Sequence, residues 1–113
     1  MYRDVITQNC IQACIDCELE CEQCSSACLM DDAYEMAHCL QLLRDCANIC
    51  ALTAKFLAHN SDYAPAICET CVEICLACRD ECARHENEHS RRCTEACHRA
   101  AEECEKFALL TIH

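Results

Sequence analysis

Residues 10–28 read CIQACIDCELECEQCSSAC, with cysteine at positions 10, 14, 17, 21, 24 and 28 and mostly polar residues between them. Steps of four, three, four, three and four keep one set of side chains on one face of an α-helix. Carried along the chain, this pattern predicts four helices over about 2–29, 32–58, 63–84 and 87–110, with ends fixed only to within a few residues. Asp31 or Asp32 is placed to cap the second helix, and Glu35 completes a capping box if Asp32 is the cap. HNSDYAP at 59–65 is the clearest break, with Ser61 and Asp62 as cap candidates and Pro65 suited to a first turn. HENEHS at 85–90 supplies the caps Asn87 or Ser90 for the last helix. Short connections between long helices imply antiparallel neighbours, so the expected fold is all-α: an up-down-up-down four-helix bundle with a cysteine-lined core, occupying one domain over 1–113.

The pattern also repeats. A shift of 54 residues places Cys14, Cys17, Cys21, Cys24 and Cys28 on Cys68, Cys71, Cys75, Cys78 and Cys82. The same shift places Cys39 on Cys93, Cys50 on Cys104 and His59 on His113, without a gap. Two helical hairpins with matching thiols would face each other across a pseudo-twofold axis.

Composition narrows the picture. The 113 residues include no Gly, one Pro and 17 Cys. A chain without glycine lacks the usual material of tight turns and hairpins, which argues against an all-β fold. The formal net charge of −11 argues against nucleic acid and anionic membranes, which reward a basic face. It suits a soluble protein that attracts cations at long range. No apolar run is long enough for a signal peptide or a membrane span, so a cytoplasmic location is the expectation. In that compartment thiols are kept reduced, and an odd number of cysteines leaves one unpaired in any fully oxidised form. Helix neighbours three or four apart also have Cβ atoms roughly 5–6 Å apart, whereas a disulfide wants about 3.5–4.5 Å.

A buried cysteine can simply be a small hydrophobe. Here, however, the first and third helices place cysteine at nearly every inward position, and Cys46 and Cys97 extend the habit on the second and fourth. Such a core is thin, and its burial is worth less than that of a leucine core. Metal is the natural filler. A two-coordinate S–M–S unit spans roughly 4.5 Å if each bond is near the zinc–thiolate length. Soft thiolates select Cu(I) over hard cations, and Cu(I) accepts two or three sulfurs. Zinc prefers four ligands in a tetrahedron, and such sites could form between facing helices. Iron–sulfur clusters usually hang on cysteine motifs in loops, whereas every motif here lies mid-helix.

The spacings CxxxCxxCxxxCxxCxxxC over 10–28 and CxxCxxxCxxCxxxC over 68–82, in a glycine-poor four-helix chain, resemble those of the bacterial copper storage proteins, in particular the cytosolic kind. The resemblance covers essentially the whole chain. It implies a bundle filled with many Cu(I) ions held by inward cysteines on all four helices, a storage role rather than catalysis, and association as a homotetramer. The copper donor and acceptor are not implied.

Histidine and methionine refine this reading. The bundle end made by the first and third connections gathers Cys28, Met30, Met36, His38, Cys39, Cys82, His85, His89 and Cys93, an array of thioether, imidazole and thiol suited to an entry port. Read singly, His85 and His89 are equally well solvated loop residues, and Met36 a gap-filling core residue. Cys10, Cys50, Cys68, Cys104, His59 and His113 gather near the opposite end. Glu18, Glu20, Glu22, Asp80 and Glu81 read as a solvated face. Ile11, Ile15, Leu42, Ile49 and Phe56 lie off the thiol stripe and hint at helix packing from outside. Three functions stay open on residues alone: a Cu(I) store, a buffer for zinc or another thiophilic metal, and a protein using single reactive thiols. No catalytic motif points to an enzyme. Long helices with tertiary contacts are expected to fold without metal, unlike zinc fingers.

Overall fold

The computed structural model describes residues 4–31 and 34–110; Asp32, Tyr2 and His113, which entered the expectations above, lie outside the described residues. Four helices are present among the described residues: α1 Val5–Leu29, α2 Ala37–Ala58, α3 Ala64–Cys82 and α4 Glu88–Leu110. The packed pairs are α1–α2, α2–α3, α3–α4 and α4–α1, a closed ring of neighbours in a rod with extents of 46 × 22 × 18 Å. This is the expected four-helix bundle.

The helix ends show how a chain without glycine turns corners. Asp4 caps α1, its Oδ1 accepting the Thr7 N–H at 2.7 Å; this bond, foremost, lowers the Asp4 carboxyl below its ordinary range. Helix α2 starts at Ala37 rather than near residue 32. A turn closed by Ala37 N–H to the Tyr34 carbonyl brings Met36 in as N-cap, and its side chain is buried against the core. Burial of that thioether, not an acidic cap, sets where α2 begins. At the other end of α2, Asn60 takes φ of 57°, the left-handed conformation that Asn tolerates better than most non-glycine residues. Ser61 N–H then reaches the Phe56 carbonyl at 3.0 Å and Asn60 N–H the Leu57 carbonyl at 3.2 Å, a Schellman closure with Asn in the usual glycine place. Ser61 Oγ accepts the Tyr63 N–H, and Pro65 sits in the first turn of α3. Helix α3 stops at Cys82, two residues short of expectation. Asn87 caps α4 as expected, accepting the Ser90 N–H at 2.8 Å, and Ser90 itself is buried inside the helix.

The bundle is built in two shells. Its axis is sulfur: all 17 cysteines are at most 1% exposed, joined by Leu43, Leu57, Met36 and several alanines. Larger apolar side chains sit in the seams around that axis, half-buried against it: Ile11, Leu42, Ile49, Phe56, Ile74 and Phe107 among them. Four of the five residues that lie off the thiol stripe in the sequence therefore serve the bundle's own seams, and Ile15 is exposed. Burial of these seam residues supplies hydrophobic stabilisation that a cysteine core supplies only weakly.

Candidate metal centre

Helical periodicity alone delivers the thiols inward. Cys10, Cys14, Cys17, Cys21, Cys24 and Cys28 on α1 share the buried face with Cys68, Cys71, Cys75, Cys78 and Cys82 on α3. Cys39, Cys46 and Cys50 on α2, and Cys93, Cys97 and Cys104 on α4, complete the wall. All are free thiols.

The sulfurs touch mostly across helices. Cys104 lies 3.5 Å from both Cys10 and Cys14. Cys50 is 3.9 Å from Cys71 and 3.7 Å from Cys75. At mid-bundle Cys17 is 3.7 Å from Cys46 and 3.8 Å from Cys97, and Cys46 is 3.8 Å from Cys97. Cys21 meets Cys93 at 3.7 Å, and Cys39 meets Cys82 at 4.0 Å. Contacts within one helix are fewer, as in Cys17–Cys21 and Cys24–Cys28, both at 4.0 Å. Groups whose sulfurs all lie within 4.8 Å of one another include Cys17/Cys46/Cys50/Cys75, Cys21/Cys78/Cys93/Cys97 and, near one end, Cys10/Cys68/Cys104. Three sulfurs around one ion with bonds of 2.3 Å stand about 4.0 Å apart, so these contacts are already close to three-coordinate spacing. A linear pair would have to spread to roughly 4.5 Å.

Such surroundings push the thiols in opposite directions: hydrogen bonds from neighbouring thiols lower Cys17, Cys21 foremost, and Cys71, Cys104 foremost, while others hold their protons. Burial first, then the nearby Cys39, pushes the Cys28 thiol up to about 11 from an ordinary 9.0. Deeper in, Cys97 and Cys104 are raised as well, by hydrogen bonds with neighbouring thiols, Cys17 and Cys10 foremost, and then by burial. Binding a metal ion at these raised thiols must therefore displace protons.

The two ends of the bundle differ. Around Cys10, Cys68 and Cys104, the ends of the helices contribute buried Thr7, Leu57, Ala64 and Ala108, with Phe107 packed beside them, a mostly apolar plug bordered by a cleft of about 240 Å³ that Thr7, Leu57, Ala64 and Phe107 line. His59 is exposed there and stacks on Phe56 with ring centroids 5.4 Å apart; the structure does not bring it to the sulfurs. At the other end, His89 Nδ1 lies 3.3 Å from Cys24 Sγ, and its Nε2 is 3.6 Å from Asp31 Oδ2. His85 Nε2 is 3.3 Å from Glu81 Oε2. His38, 73% exposed at its side chain, approaches Glu81 Oε1 at 4.0 Å, and Arg84 approaches the same oxygen at 3.4 Å. Met36 is buried beside the core, while Met30 is 87% exposed. Cys28, Cys39, Cys82 and Cys93 are buried at this end.

Glu81 corrects the sequence reading. Its side chain is only 13% exposed and it gathers two imidazoles and a guanidinium, so it is not part of a solvated acidic face. The signal was present in the spacing: Glu81 precedes His85 by four residues, the separation of facing side chains on a helix, and the turn after Cys82 keeps the two together. Asp31, a cap candidate by sequence, stands beside His89, a placement that its position in the chain does not encode.

A family model described as copper storage protein matches residues 4–109. The chain belongs to that family. Among solved members, a Cu(I)-bound copper storage protein, BsCsp3, superposes with a TM-score of 0.87 at 38% identity, covering 91% of this chain and 98% of that one. A cytosolic copper storage protein from Streptomyces lividans carrying five coppers superposes with a TM-score of 0.88 at 33% identity, covering 92% of each chain. The chain is also 39% identical over 69 residues to the uncharacterised cysteine-rich protein YhjQ of Bacillus subtilis. That match covers 60% of this chain and 64% of the relative's length. Within the copper storage family, the sulfur axis, plugged at one end and rimmed by imidazoles at the other, is the feature this chain contributes to a functional reading.

Proposed function

We propose that the protein stores Cu(I), binding many ions per chain through its core cysteines, and that it does so as a non-catalytic buffer. One observation carries this reading: 17 thiols, none more than 1% exposed, form a network of sulfur contacts at 3.5–4.0 Å along the bundle axis. Filled to one Cu(I) per thiol, with each thiolate bridging, every ion has replaced one sulfur-bound proton, so the filled core carries no added charge. Soft thiolates favour Cu(I), and the low solvent access of every sulfur keeps the stored ion from water and oxidants.

Copper enters at the imidazole-rimmed end. His85 and His89 are half-buried at this end, His89 against Cys24, while Met36 is buried in the core cluster and His38 is exposed. His89 is the ligand that passes the ion to Cys24. Filling proceeds from Cys24, Cys28, Cys39, Cys82 and Cys93 toward Cys10, Cys68 and Cys104, because the far end carries the mostly apolar plug. A reducing compartment, the cytoplasm, suits a protein whose work needs free thiols. Homotetramer formation would cover exposed Ile15, Leu19 and Leu52.

The decisive experiment is an anaerobic titration of reduced, metal-free protein with Cu(I) against a competing Cu(I) chelator. Tight uptake of roughly one Cu(I) per cysteine is expected, since bridged thiolates allow that ratio. If the chelator keeps the copper, the storage reading fails.

A further inference from the structure

The core thiols are packed in a way that shape alone would let zinc exploit. Four atoms in mutual contact enclose a tetrahedral hole, and sulfurs about 3.8 Å apart put its centre at the zinc–thiolate bond length of roughly 2.3 Å. Several contacts in the quartets match that edge: Cys17–Cys46, Cys46–Cys75, Cys50–Cys75 and Cys21–Cys93 all measure 3.7 Å. The quartets Cys17/Cys46/Cys50/Cys75 and Cys21/Cys78/Cys93/Cys97 share no residue. Both could therefore be filled by divalent ions at once. Softness does not separate the metals either, because thiolate suits Zn(II) as well as Cu(I).

Charge does separate them. A divalent ion that takes four thiolates displaces four protons and brings two charges, leaving the quartet at −2. The buried polar and charged side chains among the described residues are Thr7, Thr53, Ser90 and Glu103; none is a cation. The positive side chains lie outside the core, as Lys106 does where it pairs with Glu103 at 3.1 Å. An uncompensated charge in such a medium is strongly disfavoured, and the whole chain already carries −11. A monovalent ion held at one per thiol, with bridging thiolates, replaces each proton one for one, so a core filled to that ratio is as neutral as it began.

We infer that the cation-free core selects among thiophilic ions by charge: it takes silver(I) as it takes copper(I), one ion per thiol, and holds divalent thiophiles such as zinc(II) at fewer than the two non-overlapping quartets. This rests on the storage reading above. The step is R–SH + Ag(I) → R–S–Ag + H⁺: the S–H bond breaks, the S–Ag bond forms, the proton goes to solvent, and nothing is oxidised or reduced. The protein would thus sequester silver as a second cargo.

The test uses the full reduced chain in chloride-free buffer, with silver(I) nitrate, a zinc(II) salt and Cu(I) titrated into separate portions. Ions retained after desalting are counted by mass spectrometry, and released protons are measured by pH-stat. Silver retained at one ion per cysteine with one proton released per ion, and zinc retained at fewer than two ions per chain, is the expected result. Zinc filling both quartets with about four protons released per ion would overturn the inference, because charge would then not be decisive. Silver stopping far short of the copper count would overturn it too, by showing that ion size decides. In both overturning outcomes copper still fills the core, so the storage reading stands; failure of the Cu(I) portion alone would be the failure of that reading.

Discussion

The Nδ1 atom of His89 lies 3.3 Å from the Cys24 sulfur, so an imidazole that is 18% exposed stands in contact with a buried thiol of the core. An ion leaving a soluble carrier would meet this nitrogen before it meets buried sulfur. His89→Ala is expected to slow transfer from a chelated Cu(I) donor by tenfold or more, the scale on which lost metal-site partners act, while final capacity falls by no more than one ion. Stopped-flow loading combined with an end-point copper count checks this. A variant that loads at the normal rate would move the entry elsewhere.

Glu81 holds His85 at 3.3 Å and His38 at 4.0 Å from its two oxygens, linking α2 to the start of the α3–α4 connection. It binds no sulfur, so its effect runs through the orientation of the imidazoles. Glu81→Ala should slow loading by roughly 10–100-fold, as loss of such supporting carboxylates does at other metal sites, whereas Glu81→Gln, which keeps an acceptor for the ring N–H, should recover most of it. Equal loss in both variants, with unchanged circular dichroism, would show that negative charge rather than positioning matters.

How much of this was legible in the sequence follows from what periodicity encodes. Spacings of three and four fix which face of one helix is buried, and they place the cysteines of the first and third helices inward. The same spacings say nothing about how far one helix slides along another. The cross-helix contacts Cys17–Cys46, Cys17–Cys97 and Cys10–Cys104 depend on that slide and were invisible. The internal repeat gives no help at mid-bundle, where its thiols do not match: Leu43 of α2 corresponds to Cys97 of α4, and Cys46 to Ala100, yet all four are buried. The start of α2 was misplaced because acidic cap chemistry at 31 and 32 outweighed, on paper, the burial of Met36. His59 repeats at His113 but rests on Phe56, since helix α2 ends just before it and turns it outward.

The raised thiols give the metal-free protein a particular response to alkali. Cys28 ionises at about 11 in the fold against an ordinary 9.0, so the unfolded chain loses this proton first as pH rises. Below pH 9 both states hold it and stability is unaffected. Between about pH 9 and 11 the unfolded state binds fewer protons than the folded one, and stability falls with pH. Thermal melts of the reduced, metal-free protein should therefore be flat from pH 7 to pH 9 in this contribution and drop steadily above it. A copper-filled protein, whose thiols have already lost their protons, should show a much shallower decline; parallel slopes for the two forms would refute the linkage.

Folding without metal follows from the two-shell packing. The plug residue Leu57 is 1% exposed and the seam residues Ile11, Ile49, Phe56 and Phe107 pack against the sulfur axis, so hydrocarbon outside the thiols holds the helices together. Complete removal of copper should leave the far-ultraviolet circular dichroism of a helical bundle intact. Leu57→Ala should lower the stability of that metal-free bundle by about 2–5 kcal/mol, as truncation of a buried leucine does, and should also open the plugged end near Cys10, Cys68 and Cys104. Urea unfolding reads the first effect. The second is read by loading the variant in which His89 is also replaced: restored uptake would mean that copper now enters through the breached plug, and uptake as slow as in His89→Ala would mean that the far end stays closed by more than this one side chain.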